Sequence, residues 1–420
     1  MSTLHNEVYQ LYAKTMHDFC QYPQLVRELA RRDFSTPVHV LAIGKAAWKM
    51  AALCSRELLK KNVEHKGFVL TKYGHSFGAI PRFKIREAGH PLPDENSLKH
   101  SAEIMNWLQR LPAKQELIIL LSGGGSALFE LPKAGLELAQ LLEAHNSLLN
   151  SGMDIVRINR ERAKLSRVKQ GKALELMKSR RISIYAVSDV PGNDPHVIAS
   201  APFTPKGKAE QDDAGTLFRQ GFKQIHYKVI ADNLSFRQLF GRALEDTGFA
   251  LKQVKEFQTK ELHKFEGEIK EILRKMDNPR YRMKPPLMIL WGGETPLEVQ
   301  GSGIGGRCSH LALALSQALS RSSNAIMFCF ATDGSDGAVR SAGAYSDSQT
   351  NDELRRAKVS RFQALHNYDS YTALKAIHQV LPAPLLNSNV NDIFLLSVGY
   401  KFDFDLCKAQ FRPWEQDLFL

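Results

Sequence analysis

The sequence contains few cysteines, and they are not arranged for a disulfide framework or a zinc site. Cysteine occurs five times in 420 residues, and no two cysteines are spaced as Cys-x-x-Cys. Small disulfide-stabilised folds and structural zinc sites both depend on paired or clustered cysteines. We therefore expect the chain to fold in a reducing compartment and interpret it as cytoplasmic.

Long apolar runs, a leader pattern and an excess of acidic residues are also missing. No stretch approaches the roughly 18 consecutive apolar residues of a membrane-spanning helix, and the first ten residues do not resemble a signal peptide. The 44 Asp and Glu are outnumbered by 56 Lys and Arg, which gives a net charge of +12. We expect no membrane insertion, and anionic partners such as phosphorylated metabolites, nucleotides or nucleic acid.

What the sequence does contain is a recurring strand, loop and helix pattern. Buried-looking apolar runs such as residues 38–43, 117–121 and 182–187 each end in a glycine-rich or aspartate-containing loop. This alternation predicts an α/β fold with parallel strands. A chain of this length favours two domains, which we place at residues 1–240 and 241–420. Within them, residues 205–228 are interpreted as a polar loop and residues 251–276 as a helix.

The most informative loop follows the second of these runs. It consists of Ser122, Gly123, Gly124, Gly125 and Ser126, and it leads into an apparent helix start. Glycines let backbone N–H groups approach an anion closely, and the first N–H groups of a helix lack partners inside the helix. The loop is therefore a candidate phosphate or carboxylate site, although an ordinary turn from strand to helix would have the same pattern.

Two further residues in the first half are candidates for contact with a ligand. Lys45 follows the strand predicted at residues 38–43, where the carboxyl end of a parallel strand meets ligands, and it offers a compact positive charge to a phosphoryl group. A surface lysine would have the same pattern. His90 lies in a rigid Gly-His-Pro turn, where a structural hydrogen bond is favoured over a ligand contact.

Carboxylates follow the strand predicted at residues 182–187. Asp189 and Asp194 lie in a proline-containing loop and could hold Mg²⁺, which proteins bind through one or two carboxylates together with substrate phosphates. Turn formation explains them equally well. The basic segment at residues 157–172 is a solvated helix face, a nucleic-acid surface or the wall of a polyphosphate site. It lacks interleaved aromatic residues, so nucleic acid is the weaker interpretation.

The last third of the chain contains a second glycine-rich turn and a second aspartate loop. Arg307 ends this turn, and its planar guanidinium suits bidentate contact with carboxylate or phosphate. The glycine spacing permits a dinucleotide fingerprint, but no suitably placed acidic residue supports one. Loop architecture, metal contact and nucleotide contact all remain open here. The candidate nucleotide-binding residues are Gly303, Gly305, Gly306, Asp333, Asp336 and Asn389.

Taken together, these segments resemble the glycerate 2-kinase family, which has a C-terminal MOFRL domain and was formerly often labelled hydroxypyruvate reductase. Nine motifs match in the family's order and span nearly the whole chain. They are Gly44-Lys-Ala, Ala88-Gly-His-Pro-Leu-Pro-Asp94, Leu121-Ser-Gly-Gly-Gly-Ser-Ala-Leu128, residues 159–169, Ser188-Asp-Val-Pro-Gly192, Gly292-Gly-Glu-Thr295, Gly303-Ile-Gly-Gly-Arg307, Thr332-Asp-Gly-Ser-Asp-Gly337 and Asn389-Val-Asn-Asp392.

The resemblance implies a fold, a reaction and roles for residues. The fold would be a Rossmann-like parallel sheet with flanking helices, then an α/β MOFRL domain at about residues 290–420, with an active-site cleft between the two. The reaction would be ATP- and Mg²⁺-dependent phosphorylation of the 2-hydroxyl of D-glycerate or a related hydroxy acid. The lysine and arginine that match Lys45 and Arg307 would be catalytic. A homodimer is an open alternative for the assembly.

Two alternatives to the kinase interpretation stay open at this point. One is an NAD(P)H-dependent hydroxypyruvate reductase, for which the loop after residue 43 lacks the expected glycine fingerprint. The other is a kinase-fold protein with altered substrate or no activity, because the chain departs from the family pattern near the proposed site. These departures are Gln170, Lys172, Asn193, Ala201, Cys308, Ser309, His310 and Ala331.

Overall fold

The structure, a computed structural model, describes residues 4–149, 151, 155–207, 209–212, 215–276, 286–322, 324–383 and 389–400. The strands in chain order are β1 (Val38–Ile43), β2 (His65–Lys72), β3 (Phe83–Ala88), β4 (Glu116–Leu121), β5 (Arg181–Val187), β6 (Ala209–Asp212), β7 (Gly215–Gln220), β8 (Lys223–Ala231), β9 (Leu251–Gln258), β10 (Leu287–Gly293), β11 (Ala325–Ala331), β12 (Ser335–Asp336), β13 (Val339–Arg340), β14 (Gly343–Asp347) and β15 (Asp392–Val398).

The helices in chain order are α1 (Leu4–Phe19), α2 (Pro23–Arg31), α3 (Ala47–Lys60), α4 (Glu95–Arg110), α5 (Gly125–Leu128), α6 (Leu138–Leu149), α7 (Ile155–Lys164), α8 (Lys172–Glu175), α9 (Asn233–Asp246), α10 (Leu262–Met276), α11 (Arg307–Leu319), α12 (Thr350–Arg356), α13 (Arg361–His366) and α14 (Ser370–Lys375). Two short 3₁₀ turns lie at Pro191–Asn193 and Ile198–Ser200. Among the described residues, no helix is both long enough and apolar enough to cross a lipid bilayer.

The chain divides into two compact units. The larger-sheet unit comprises the described residues of Cys20–Asp232 with Asn389 and Val390, and the smaller-sheet unit comprises those of Met1–Phe19, Asn233–Leu386 and Asn391–Leu420. Helix α1 belongs to the smaller-sheet unit because its aromatic side chains pack there. The Tyr12 ring stacks on Phe330, with ring centroids 4.0 Å apart. The assignment of residues 1–240 and 241–420 to two domains stays a prediction.

The larger sheet confirms the predicted α/β architecture with a parallel sheet. Its strand order is β3-β2-β1-β4-β5-β8-β7-β6. The pairs from β3 through β8 are parallel, and β7 and β6 add an antiparallel edge. All six residues of β1 and of β4 are buried, as expected for strands of a sheet that is covered on both faces. From β1 to β3 strands are added toward one edge of the sheet, and from β4 onward they are added toward the other edge. Ligands bind outside the carboxyl ends of the strands at such a switch point.

The smaller sheet is mixed and has the order β14-β11-β15-β10-β9. Only β9 and β10 pair in parallel. Helix α11 covers this sheet with small and aliphatic side chains, and residues 308–316 of this helix are all buried. The pairing of β10 with β15 is antiparallel and places Gly293 opposite Asp392. The end of β10 therefore lies beside the start of β15, and both face the beginning of α11.

The prediction of a helix over residues 251–276 is wrong for the first part of this segment. Residues Leu251–Gln258 form β9, and only Leu262–Met276 are helical. Lys, Glu and Gln favour helices in isolation. The parallel pairing of Leu251 with Met288 supplies backbone hydrogen-bond partners that the local sequence does not reveal.

The prediction of a polar loop over residues 205–228 is also wrong. Strands β6 and β7 form a hairpin there, and β7 pairs with β8. Phe218 of β7 is buried in the core beneath the sheet. The segment has a charged and polar composition because the hairpin lies at the sheet edge, where only one strand partner and little apolar burial are required.

Candidate active site

Two loops meet at the carboxyl ends of β1 and β4 in the larger-sheet unit. The Lys45 N–H donates to the Gly123 carbonyl at 2.9 Å, and the Ser122 N–H donates to the Ile43 carbonyl at 3.0 Å. The Ser122 Oγ accepts a hydrogen bond from the Ala46 N–H at 3.0 Å. These backbone contacts fix the lysine loop against the glycine loop.

The glycine loop presents a row of N–H groups that the protein does not use. In the described part of the chain, the N–H groups of Gly123, Gly124, Gly125 and Ser126 have no protein acceptor within hydrogen-bonding distance. Helix α5, which follows, is a single turn of four residues. Consecutive unpaired backbone donors form a cradle for an anion, so the cradle rests on local N–H groups rather than on the dipole of a long helix.

Lys45 and His90 converge on this loop. A methyl group added to Gly124 would lie 3.0 Å from Cδ2 of His90 and 3.2 Å from Cγ of Lys45. Gly124 itself has φ +88°, which a side chain would strain. Lys45 is only 8% exposed, and His90 is half-buried. The structure therefore brings together three of the sequence-predicted elements, the lysine, the histidine and the glycine loop.

Asp189 and Asn389 lie on another side of the same loop. The Asn389 Nδ2 donates to Asp189 Oδ2 at 2.8 Å, although the two residues are 200 positions apart. A methyl group on Gly123 would lie 2.2 Å from this Asp189 oxygen. Asn389 was predicted to contact nucleotide together with the glycines of the second turn. In the structure it contacts Asp189 of the larger-sheet unit, to which Asn389 itself belongs.

Asp194 has a different environment from Asp189. Its side chain is exposed, and Oδ1 accepts the His196 N–H at 2.8 Å, which closes a local turn. The role as a metal ligand stays a prediction for both aspartates, and the geometry favours Asp189 over Asp194 because only Asp189 adjoins the glycine loop. In the described residues, no group of three or more His, Cys, Asp or Glu side chains is arranged to hold a metal ion.

One contact of the glycine loop was not predicted from the sequence. The Ser126 and Ser200 hydroxyls are 2.7 Å apart. Ser200 lies between Ala199 and Ala201, and all three residues have positive φ. No periodicity or motif in the sequence indicates that this segment would reach the loop, because the contact depends on a backbone conformation that these residue types adopt rarely.

In the smaller-sheet unit, Arg307 begins α11 and is held by two carboxylates. Its Nε donates to Asp392 Oδ2 at 3.1 Å, and its Nη1 forms an ion pair with Glu294. Glu294 directly follows β10, and Asp392 begins β15, so the antiparallel pairing of these strands positions both acids. The Arg307 side chain remains 36% exposed. It is therefore oriented by the protein and still accessible to a ligand.

The acids around Arg307 differ in their protonation behaviour. Burial, opposed by Arg307 and aided by the nearby Asp336, Glu294 and Asp333 carboxylates, raises the pKa of Asp392 to about 7. Burial also raises the pKa of Asp336, and its backbone hydrogen bonds oppose that shift. Asp336 accepts the Cys308 and Ser309 N–H groups at 2.9 and 2.8 Å. Asp336 thus caps the first turn of α11.

The glycines of the second turn pack against protein. A methyl group on Gly303 would lie 2.5 Å from the Asn367 carbonyl oxygen, and one on Gly305 would lie 2.3 Å from Ser370 Oγ. A methyl group on Gly306 would lie 2.3 Å from Asp336 Oδ1. Close packing therefore accounts for these glycines. Their contact with nucleotide stays a prediction, as does that of Asp333, which accepts the Ser335 N–H at 3.0 Å.

Three departures from the family pattern have structural roles in α11. Cys308 is buried in the core of the smaller-sheet unit, and burial raises the pKa of its thiol. The Ser309 hydroxyl accepts the Gly306 N–H at 3.0 Å. The His310 ring stacks on Tyr368, with centroids 5.2 Å apart. These three side chains pack within the protein, whereas Arg307, which precedes them, remains accessible.

Gly44→Ala is expected to destabilise the fold by at least about 3 kcal/mol. Gly44 has φ +122°, and an added methyl group would lie 2.4 Å from the Ser122 carbonyl oxygen, which is backbone and cannot move aside alone. Urea unfolding followed by circular dichroism would measure the change.

Gly78→Ala is the matched control for this prediction. Gly78 has φ +110°, but no atom lies within 4 Å of the added methyl group. We expect a loss of about 1–2 kcal/mol from backbone strain alone. Equal losses in the two variants would show that the contact between Gly44 and Ser122 does not matter.

The fold and the site define the class of protein. A buried lysine lies beside a cradle of unused N–H groups at the switch point of a parallel sheet. This arrangement is typical of α/β enzymes that bind phosphate or carboxylate groups.

Two family models match the chain. The domain of unknown function DUF4147 matches residues 11–231, and the MOFRL family matches residues 287–392.

Similar proteins specify the family. The D-glycerate 2-kinase of Thermotoga maritima is 35% identical over 379 residues, which cover 85% of this chain and 90% of that protein. The glycerate 2-kinase of Pyrococcus horikoshii is 32% identical and covers 87% of this chain and 88% of that protein. The crystal structure of a glycerate kinase from Thermotoga maritima has a TM-score of 0.81 at 30% identity, and the match covers 94% of this chain and 99% of that chain. The chain belongs to the glycerate kinase family.

Proposed function

We propose that this protein transfers the γ-phosphoryl group of ATP to the 2-hydroxyl of D-glycerate, which gives 2-phosphoglycerate and ADP. The observation that carries the proposal is the cradle of four unused N–H groups at Gly123–Ser126, with Lys45 and His90 against Gly124. Glycerate is a small carboxylate and ATP a polyphosphate, so both are anions that such a cradle can bind. The similarity to the glycerate 2-kinases supports this choice of substrate.

Phosphoryl transfer requires positioning and charge neutralisation more than covalent chemistry. Lys45 and Arg307 stabilise the negative charge of the transferring phosphoryl group. The Ser122–Ser126 loop binds a carboxylate or phosphate group of the substrate through backbone N–H groups, and the His90 imidazole contacts the substrate at Gly124. Asp392 and Glu294 hold the Arg307 guanidinium in one orientation.

We infer that the reaction uses Mg²⁺ with ATP, and the carboxylates of the larger-sheet unit fit one mode of binding it. Mg²⁺ is commonly bound by one or two carboxylates plus phosphate oxygens, without a complete protein cage. Asp189 fits this requirement because its carboxylate adjoins the glycine loop and is oriented by Asn389. Mg²⁺ held there would neutralise phosphate charge. The second turn, at Gly303, Gly305 and Gly306, together with Asp333, Asp336 and Asn389, contacts the nucleotide.

The test of the function is a coupled ADP-release assay on the purified full-length protein. D-glycerate is compared with L-glycerate and with other small hydroxy acids, and the Mg²⁺ concentration is varied. Mg²⁺-dependent ADP release with D-glycerate and formation of 2-phosphoglycerate are expected. Oxidation of NADH or NADPH by hydroxypyruvate at 340 nm, without ATP, would instead support the reductase alternative.

Asp189→Asn is expected to raise the Mg²⁺ concentration required for half-maximal activity by about tenfold, since a lost charged ligand costs on the order of 1–3 kcal/mol. Asparagine keeps the size of the side chain but removes its charge. The measurement is a Mg²⁺ titration of the kinase assay at saturating ATP.

Asp194→Asn is the matched control because it removes the same charge from the same loop. Asp194 is exposed and closes its own turn, so we expect less than a twofold change in the Mg²⁺ requirement. A large change in Asp194→Asn with none in Asp189→Asn would reverse this assignment.

A further inference from the structure

A cavity in the larger-sheet unit lies at the opposite ends of the strands from the glycine loop. It has a volume of about 500 Å³ and is lined by the starts of β2 and β3 and the end of α4. Along β2, Lys66 on its wall is separated by roughly 17 Å from Thr71, whose hydroxyl donates to the Gly44 carbonyl beside Lys45. The cavity is therefore distinct from the candidate active site.

The wall of this cavity is strongly cationic. It includes Lys66, Arg82, Lys84 and Arg110, and all four residues are exposed. In the part of the chain that the structure describes, Lys66, Arg82 and Arg110 form no ion pair. Cations gathered around one concavity repel one another, and a bound anion relieves that repulsion.

The acid on the wall does not balance these charges. Glu103 is bound by Arg86, with distances of 2.9 Å from Nε to Oε2 and 3.1 Å from Nη2 to Oε1. Arg86 lowers the pKa of this carboxyl, so it stays ionised and engaged. Lys84 lies 3.3 Å from the same carboxylate and over the Phe68 ring at 5.3 Å, which fixes its position at the cavity.

The floor of the cavity is rigid and apolar. Phe68 is 3% exposed, and its ring packs on the half-buried Trp107 ring at 5.0 Å. Gly67 contributes no side chain here, and a methyl group on it would lie 2.2 Å from the Val40 carbonyl oxygen. The cavity therefore has an apolar aromatic floor and cationic side chains around it, and its volume is in the range of small-molecule sites. These are the properties of a ligand pocket.

We propose that this cavity is a second ligand site, separate from the glycine loop, for a small molecule that carries two or more phosphate or carboxylate groups. Its anionic groups contact Lys66, Arg82, Lys84 and Arg110, and its body lies on Trp107. The site goes beyond the proposed kinase reaction, and its occupation does not require ATP or glycerate.

The test measures the binding of inorganic pyrophosphate and of citrate to the full-length protein by calorimetry and tryptophan fluorescence. Pyrophosphate and citrate distinguish a phosphate ligand from a carboxylate ligand. Lys84→Ala combined with Arg110→Ala is expected to weaken binding at least tenfold. Lys99→Ala removes one charge from the exposed face of α4 outside the cavity and should change binding less than twofold.

Two further variants locate the bound anion. Trp107→Phe is expected to abolish the fluorescence change while preserving most of the binding measured by calorimetry. Lys84→Arg combined with Arg110→Lys keeps the charge and should retain binding within about threefold, which separates charge from folding effects. Unchanged binding in the double alanine variant, or complete loss of binding in Lys45→Ala alone, would overturn the proposal, since the anion would then occupy the glycine loop.

Discussion

Arg307→Lys is expected to lower kcat of the kinase reaction by about 10³-fold, with a much smaller change in KM for D-glycerate. An arginine that stabilises a transferring phosphoryl group contributes about 10³–10⁵ in kcat, and lysine cannot reproduce its planar, bidentate contact. Steady-state kinetics with saturating ATP and Mg²⁺ would measure both constants.

The geometry of Arg307 explains why the loss should fall on kcat. Asp392 binds Nε at 3.1 Å and Glu294 binds Nη1, so the protein holds one edge of the guanidinium while the side chain stays 36% exposed. A lysine at this position keeps the positive charge but places a single ammonium between two acids. It would be neutralised by them rather than directed at substrate.

Arg340→Lys is the matched control for this prediction. Arg340 is exposed in the smaller-sheet unit, at the end of the two-residue strand β13, and its replacement should leave kcat within twofold. Retention of more than a tenth of the wild-type kcat by Arg307→Lys, in a protein with unchanged circular dichroism, would contradict a role in the transition state.

The part of the site that the sequence could predict is the part governed by strand ends. The loops at Lys45 and Ser122 each follow a buried apolar run, and parallel strands place their carboxyl ends at one edge of a sheet. Because β1 and β4 are adjacent in the sheet, the two loops that follow them lie side by side. The sequence identifies His90 as a candidate but does not predict its position beside Gly124, because that position depends on a turn whose direction no pattern encodes.

The remaining features depend on pairings between distant segments. Asn389 reaches Asp189 across 200 residues of chain, and nothing in its neighbourhood indicates that partner. The strand at Leu251–Gln258 forms because β10 supplies hydrogen-bond partners, against the helical preference of its own residues. In the sequence, Gly303 appears in a pattern typical of a ligand-binding loop. In the structure, its close packing against Asn367 already requires a residue without a side chain.

The excess of cations in the chain is not confined to the candidate active site. The proposed kinase reaction assigns roles to few cations, Lys45 and Arg307, and to the backbone N–H groups of the glycine loop. The cationic cavity at Lys66 and Arg110 adds to the excess without serving that site. A net charge of +12 is therefore a poor guide to the position of the substrate, although both proposed sites would bind anions, the class of ligand that such a charge favours.

Lys45→Ala is expected to lower kcat by about 10²–10³-fold, because a preorganised donor aimed at developing negative charge contributes about 3–4 kcal/mol to the transition state. The Lys45 backbone is fixed by the Gly123 carbonyl, and its side chain is enclosed against Gly124, with 8% of the residue exposed. This enclosure limits the positions open to the ammonium group and so preorganises it for the transition state.

Lys60→Ala supplies the control for Lys45→Ala, since it removes the same charge from the exposed end of α3. Lys60 pairs with Glu57 at 2.8 Å on the surface, a contact of little energetic weight, and kcat should stay within twofold. The decisive comparison is single-turnover kinetics at saturating ATP and D-glycerate, which separates chemistry from product release. A Lys45→Ala protein with the wild-type fold and more than half of the wild-type single-turnover rate would remove Lys45 from the catalytic machinery.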